Sequence, residues 1–388
     1  MRPDPMQPDR VHPRRRGGVA MIRRPSGQRL LLHVFPSFAA GGAQLRFVAL
    51  ANAFGPAFRH AVIALDGDYS CRCRLSSGLS TSFPSFARDR CSFAGRLRRA
   101  RALLSDLRPD VLITSNWGAI EWAIANMLPL ARHIHTEDGF GVEEQDRQLL
   151  RRVLARRLAL RRSTVVVPSR TLQNITRMVW RLPPSRVCYI PNGIDLARFA
   201  PAPLRHHNGV PVIGCVAALR PEKNLARLLR AAAAAAAAHP LRVVIAGDGA
   251  ERPALQALAA ELPVAVEFLG ELADPAPAYR HFDIFALASD TEQMPLSVLE
   301  AMASGLPVIS TDVGDVGGMV AVENKPFVAG HDPETLAASI GRLLEAPELR
   351  LSLGSANRRR AECEFDQELM FRRYRALLNA NEQGMAEA

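Results

Sequence analysis

"FDIFALASDTEQMPLSVLEAMASGLPVIST", running from Phe282 to Thr311, holds a strand, a loop, a helix and a second strand in one continuous segment. The apolar run Phe282–Ser289 has the length and bulk of a buried strand, and Leu306–Thr311 repeats it. Between them Pro295 suits the first turn of a helix, and Gly305 with Pro307 stops that helix soon after Ser304. A strand, a covering helix and a second strand of these lengths make a unit of a parallel sheet covered on both faces.

The same alternation extends in both directions. Upstream lie the strands "VPVIGCVAAL", "LRVVIAGDG" (broken at Gly247-Asp248-Gly249) and "AVEFLG", with helices between them; downstream lies the helix "DPETLAASIGRLLEA". The helix from Lys223 to Ala238 ends in eight consecutive alanines, whose high helix propensity argues for a helix and against a linker. A second block precedes residue 190: "RLLLHVF" (Arg29–Phe35), "HAVIAL" (His60–Leu65), "DVLIT" after Pro109, a short strand in "RHIHTEDGF", and "STVVVPS". The segment 71–92 lacks periodicity and reads as loop, and 143–162, "EEQDRQLLRRVLARRLALRR", reads as one arginine-rich helix. The expectation is therefore two α/β domains, each a doubly wound parallel sheet, facing across a cleft. A tail spans 1–28, the first domain 29–190, a linker 191–208, the second domain 209–364, and a closing segment 365–388. A chain of 388 residues suits two cores better than one.

Composition narrows the classes. With 48% apolar and 22% charged residues the chain is globular, and no apolar run approaches the ~18 residues a membrane-spanning helix needs. The Arg- and Pro-rich start lacks an apolar h-region and is no secretory signal; Met21 is an alternative start. The six cysteines are scattered without a zinc spacing, which points to a reducing, cytosolic compartment. The net charge of +11 rests almost wholly on arginine, since Lys223 and Lys325 are the only lysines. Such a balance draws phosphorylated substrates, anionic lipid or nucleic acid. Aromatics at 6% and no stacking series argue against nucleic acid. The G-x-G-x-x-G fingerprint is missing after the first strand, which argues against a dinucleotide-dependent oxidoreductase.

Glu292 sits on the loop after one strand and Glu300 about one turn inside the following helix, eight positions on. This spacing does not let two carboxylates share a proton. It lets them touch different parts of one extended ligand, with helix N–H groups between them free to hold an anion. A carboxylate also chelates the vicinal hydroxyls of a ribose.

The string "SDTEQMPLSVLEAMASGLPVISTDVG" resembles the E-x7-E region of glycosyltransferase family 4, retaining enzymes with the GT-B fold. "GGAQ" at 41–44, "PNGID" at 191–195, "LRPEKN" at 219–224, "VVIAGDG" at 243–249 and the closing "FDQELMFRRYRALL" resemble further landmarks of that family, in order, over most of the chain. The resemblance implies that Glu300 binds the nucleotide ribose and Glu292 the hydroxyls of the transferred sugar. It implies that the backbone from Met294 through Pro295 and Leu296 to Ser297 approaches the sugar and diphosphate, that Gly41 and Gly42 close on the phosphate from the other domain, and that Gly247 lines the donor site. Lys223 is expected to face the diphosphate. The family's arginine five residues earlier is replaced by Ala218, so Arg220 is the nearest candidate cation. His135 is expected near the reacting carbon, with His133 as its competitor; Asp138 and Glu137 are expected either to position an acceptor hydroxyl or to cap the next helix.

The resemblance implies no cofactor, the nucleotide-diphosphate sugar being the substrate; no Asp-x-Asp motif stands at a suitable strand end, so Lys223 and Arg220 are expected in place of a metal. It implies a saccharide or lipid-linked acceptor, in cell-surface polysaccharide or glycolipid synthesis. A sugar-nucleotide epimerase of the same fold is the alternative. The protein is expected in the cytoplasm, with the arginine-rich helix 147–162 a candidate for contact with an anionic membrane surface.

Overall fold

The computed structural model describes residues 27–86, 92–140, 142–144, 147–202 and 209–380. The arginine-rich tail, apart from its last residues, and part of the linker lie outside these ranges. Among these described residues thirteen strands form two sheets. The first contains β1 (Arg29–Phe35), β2 (Phe58–Ala64), β3 (Thr81–Ser82), β4 (Val111–Ser115), β5 (Arg132–Thr136), β6 (Thr164–Val167) and β7 (Val187–Tyr189), in the order β3-β2-β1-β4-β5-β6-β7. The second contains β8 (Val212–Val216), β9 (Arg242–Ala246), β10 (Ala265–Gly270), β11 (Ile284–Leu287), β12 (Val308–Thr311) and β13 (Val328–Ala329), in the order β10-β9-β8-β11-β12-β13. Neighbouring strands pair in parallel, with β1 flanked by β2 and β4, and β8 by β9 and β11. Both sheets are thus doubly wound, and in both the strand order reverses beside the first strand. Ligands of open parallel sheets bind at such reversals, outside the carboxyl ends of the strands.

The central strands β4, β6, β11 and β12 are buried along their whole length, as expected of parallel strands covered by helices on both faces. The alanine tract belongs to the helix Leu225–Ala236. Its Ala231, Ala232 and Ala235 pack in one cluster with Leu336, Ile340 and Leu343 of the helix Pro333–Glu345, so the small side chains allow a close helix–helix approach. The arginine-rich region is not a single helix over 143–162. A short 3-10 turn at Val142–Glu144 precedes a helix confined to Leu150–Ala159. The segment 71–92 is not wholly irregular either, since it contributes a 3-10 turn at Ser70–Arg74 and the edge strand β3.

The chain crosses between the sheets twice, and the two crossings touch. Ile194 N–H donates to Phe365 O at 2.7 Å, and Gln367 N–H donates to Ile194 O at 3.0 Å. A Cβ on Gly193 would lie 2.6 Å from Gln367 Cα, so only glycine allows the two strands of chain to run this close. Beyond the second crossing, the helix Gln367–Asn379 places Met370, Phe371 and Tyr374 in the core of the first sheet with Leu31, Phe54 and Phe58. Arg132 holds its end, donating to the carbonyl oxygens of Leu377 and Ala380, each at 2.8 Å. A cation is favoured there by the negative end of the helix dipole.

Candidate active site

Two adjoining cavities, of about 620 and 790 Å³, lie between the sheets and share Asn192 and Leu296 in their walls. Many of the residues lining them follow the carboxyl end of a strand. Gly41 and Gly42 follow β1, Asn116 and Trp117 follow β4, Asp138 and Phe140 follow β5, and Asn192 follows β7. From the second sheet, Lys223 follows β8, Gly247 follows β9, and Glu292 follows β11.

Glu292 lines the first cavity and Glu300 the second, so the two carboxylates face one continuous cleft from neighbouring compartments. Glu292 Oε1 accepts from Lys223 Nζ at 2.5 Å and from Ser289 Oγ at 2.9 Å. Both partners of the ion pair are largely buried, with side chains 16% and 12% exposed. The loop that carries Glu292 rests on Gly314, which has φ +56° and whose Cβ would lie 2.5 Å from Glu292 O. Glu300 accepts from the Tyr279 hydroxyl at 2.7 Å. Burial raises the Glu300 carboxyl above its usual range, against the opposing hydrogen bond from Tyr279. Burial likewise pushes the Tyr279 phenol up, helped by the charge of Glu300.

The helix Leu296–Ala303 begins at Pro295, and the helix Gly42–Phe54 begins at Gly41; neither start has a side-chain cap. The two starts oppose each other across the cleft, so close that a Cβ on Gly42 would sit 3.9 Å from Leu296 Cδ1. Two uncapped helix N-termini and the Lys223 ammonium therefore converge on one space, the arrangement expected of an anion site. Gly41 and Gly42 are not forced by their own backbone: Gly41 is extended, and its nearest obstacle is the far end of the Gln44 side chain. Gly247 is different. It has φ +139°, and a Cβ there would lie 1.9 Å from Ala217 O.

Arg220 reaches the cavity rim, but its side chain is 59% exposed and its Nε pairs with Glu222 Oε1 at 2.9 Å. Met294, Pro295, Leu296 and Ser297 line the first cavity.

The expectation for His135 is corrected. It is fully buried and lines neither cavity. Its Nδ1 lies 2.8 Å from Thr114 Oγ1, and its Nε2 lies 3.6 Å from the buried Glu137 carboxylate. Alternation along β5 explains this: His133 and His135 share the face turned into the domain. His133 bridges Thr114 Oγ1 and Ser163 Oγ, and burial with His135 nearby lowers its pKa to about 3. Glu137 is buried against Arg156 as well, so neither it nor the histidines can meet a ligand in the cleft.

The residue of "HTEDG" that does reach the cleft is Asp138. Arg46 grips it at 2.5 and 2.8 Å and also donates to Asn192 Oδ1 at 2.9 Å. Asn192 in turn donates from Nδ2 to Met294 O at 3.2 Å, tying the first domain to the loop of Glu292. Asn116 accepts from Asp138 N–H at 2.7 Å and holds φ +58°, an uncommon conformation for a non-glycine residue, placed where the strand order reverses. At the far end, Arg152 lies over the Trp117 ring at 5.1 Å and pairs with Glu143 and Glu144. Beneath it, Arg156 is fully buried among Trp117, Phe140 and Trp180 and pairs with Glu144 at 3.0 Å. Sequence reading missed Arg46, Asn116, Trp117, Phe140, Arg152 and the role of Asn192. For Asn116, Trp117 and Phe140 the available signal was that each follows a strand, and Asn192 lies within the quoted "PNGID"; Arg46 and Arg152 lie inside helices and carried no such signal.

Across the cleft mouth, Asp315 of the second domain caps the first-domain helix Arg170–Met178. It accepts from the N–H groups of Arg170 and Thr171 and, at 2.7 Å, from the Thr171 hydroxyl. Among the described residues no group of three or more His, Cys, Asp or Glu side chains is gathered to hold a metal ion.

Residues 40–198 match the family described as Glycosyltransferase Family 4, and residues 210–346 match Glycosyl transferases group 1. A D-inositol 3-phosphate glycosyltransferase of Thermobispora bispora is 31% identical over 308 residues, covering 70% of this chain and 71% of that protein. A GDP-mannose-dependent monoacylated alpha-(1-6)-phosphatidylinositol monomannoside mannosyltransferase of Corynebacterium glutamicum is 31% identical over 212 residues, or 50% of this chain and 56% of that protein. The chain spans about half the length of several of the curated relatives it matches. Among solved structures, Anabaena HepE in complex with UDP-glucose superposes with a TM-score of 0.76 at 20% identity, covering 90% of this chain and 99% of that one. A sucrose-phosphate synthase of Thermosynechococcus elongatus superposes with a TM-score of 0.74 at 20% identity, covering 91% and 100%. These likenesses give the two-domain GT-B fold.

Proposed function

The chain belongs to glycosyltransferase family 4 and has the GT-B fold, and from that premise we propose that it transfers a hexose-like sugar from a nucleotide-diphosphate sugar to a hydroxyl group with retention of anomeric configuration. One observation carries the reading: two uncapped helix N-termini and Lys223 converge on the space between Glu292 and Glu300. The nucleoside lies in the larger cavity with its ribose hydroxyls on Glu300. The diphosphate lies between the starts of the helices Gly42–Phe54 and Leu296–Ala303. The sugar lies in the smaller cavity with hydroxyls on Glu292.

In the reaction the bond from the anomeric carbon to the diphosphate oxygen breaks, and a bond from that carbon to the acceptor oxygen forms on the same face. The acceptor's proton passes to the departing phosphate oxygen. Negative charge grows on the diphosphate as the bond breaks. Lys223 and the helix N-termini, with Arg220 swung in from the rim, meet that charge electrostatically and in place of a divalent metal. In the free protein Glu292 neutralises Lys223; an arriving phosphate shares the ammonium and leaves the carboxylate for sugar hydroxyls. Closure of the domains excludes water and limits hydrolysis of the donor.

The acceptor is a saccharide or lipid-linked hydroxyl, in synthesis of a glycolipid or cell-surface polysaccharide, on the cytoplasmic side of the membrane. Its side of the cleft is walled by Asn116, Trp117, Asp138, Phe140 and Arg152. The named relatives use GDP-mannose or act on inositol 3-phosphate, and a solved neighbour holds UDP-glucose. The test is a panel of UDP-, GDP- and ADP-sugars scored by thermal stabilisation, because a ligand bound only by the folded state raises the melting temperature by mass action. One base is expected to stabilise the protein and then to support sugar transfer. No shift with any member of the panel, at millimolar donor, overturns the proposal.

A further inference from the structure

The helix Leu150–Ala159 presents two chemically distinct faces. Inward, Arg152 and Arg156 pair with Glu143, Glu144 and Glu137 and stack on aromatic rings. Outward, Leu150, Leu154 and Leu158 are 70%, 57% and 64% exposed. Positions four and eight residues apart on a helix fall within about 80° of arc, so these leucines form one stripe along the exposed side. Arg151 and Arg157 flank it, and Arg147, Arg161 and Arg162 extend the charge at its two ends, all of them exposed. No acidic residue occurs from Arg147 to Arg162.

A neighbouring segment continues the surface. Trp180 Nε1 donates to Gln148 Oε1 at 2.7 Å, which fixes the end of the helix Arg170–Met178 beside the start of the basic helix. At that end Met178 and Val179 are exposed between Arg177 and Arg181, and again no acidic residue occurs from Arg170 to Arg181.

A solvated helix face carries charge without an exposed leucine in every turn, and a protein–protein contact of this size usually mixes charge signs. A predominantly positive rim around an apolar stripe is complementary to one surface in particular. Leucines enter the acyl boundary of an anionic bilayer, while the long arginine side chains reach back to the phosphate headgroups. We propose that this face of the first domain docks the protein on an anionic membrane. The stripe and Arg152 of the cleft wall are opposite sides of one short helix, so docking brings the cleft alongside the membrane surface. In that respect the assignment deepens the proposed function, giving a lipid-linked acceptor its place, and rests on it there alone; docking itself requires no acceptor.

The full chain is tested by co-sedimentation with phosphatidylcholine vesicles and with vesicles containing one third phosphatidylglycerol. Wild type is expected to bind the anionic vesicles and not the neutral ones, and to be released by high salt. L150S/L154S/L158S is expected to lower the partition coefficient at least tenfold. R151Q/R157Q is expected to lower it by about fivefold per charge removed. The arginine-rich start of the chain is common to all three proteins, so the comparison isolates the helix. Thermal stabilisation by the donor sugar, measured in parallel, reports folding and the cleft independently of the membrane. Unchanged donor stabilisation with lost vesicle binding supports the inference. It is overturned if wild type ignores anionic vesicles, or if the triple variant binds them as wild type does. It is also overturned if the triple variant instead converts a wild-type dimer into a monomer, which would make the stripe a contact between copies of the chain. Vesicle binding without donor stabilisation would leave docking standing and remove the transferase reading.

Discussion

The two walls of the cleft hold their charges in different ways. On the second-domain wall each glutamate has few partners and faces open space: Glu292 has Lys223 and Ser289, and Glu300 has Tyr279. On the first-domain wall the charges are locked. Arg46 holds Asp138 with two bonds and Asn192 with a third, and Arg156 holds Glu144 inside an aromatic cage. The first kind of group can exchange one or two protein bonds for a ligand. The second is tied by several bonds at once, and freeing one member breaks them together. Under the proposed function, the contrast puts ligand chemistry on the second domain and shape on the first.

Substitutions that neutralise one member of each pair test the contrast. The largest effect is expected for Glu292→Gln, which keeps the size of the side chain and removes its charge. Turnover should fall about 10²–10³-fold, the scale of losing one electrostatic contact made in the transition state, while nucleotide affinity stays within a few-fold. Next, Asp138→Ala should act through stability. It strands the nearly buried Arg46, whose pKa the carboxylate raises, and should cost about 3 kcal/mol in denaturant unfolding. A matching loss from Glu292→Gln would erase the distinction between the walls.

Glu300 offers a pH-dependent version. Its folded pKa lies above the unfolded value, so the unfolded chain gives up its proton first as pH rises, and the ionised carboxylate lowers stability above the folded pKa. Glu300→Gln should therefore melt at a higher temperature than wild type at pH 8, and the gap should close as pH falls through the folded pKa of Glu300 and below the unfolded one. A gap that persists at pH 3 would assign it to packing. The smallest effect on activity is expected for His135→Gln. The side chain lies inside the domain, so turnover of the folded variant should stay within about threefold while unfolding free energy drops by roughly 1–3 kcal/mol, the scale of a disturbed buried hydrogen bond.

Legibility in the sequence follows the same division. Glu292, Glu300 and the helix start between them lie on one strand–loop–helix unit, so local spacing alone put them beside one cleft. Lys223 came with a contiguous string as well. The opposite wall is assembled from loops after β1, β4, β5 and β7, together with a side chain from the helix Leu150–Ala159, and no linear spacing brings Arg46 to Asp138 or Arg152 to Trp117. His135 was misplaced for a related reason. A histidine at the end of a strand looks available for chemistry until the alternation of the strand, set by its neighbours in the sheet, decides which way it points. A single residue separates the buried Glu137 from Asp138 in the cavity. The basic helix was read too long: a 3-10 turn ends at Glu144, whose carboxylate is held by Arg156, and the helix itself covers only Leu150–Ala159.

The division of labour between the two glutamates is the claim on which the rest depends, and isothermal titration with the preferred nucleoside diphosphate, lacking the sugar, tests it most directly. Glu300→Ala should weaken binding at least tenfold, as expected for hydrogen bonds to a charged group at roughly 1.5–3 kcal/mol, while Glu292→Gln binds as wild type does. Equal affinity in wild type and Glu300→Ala, or the same loss in both variants, would contradict it.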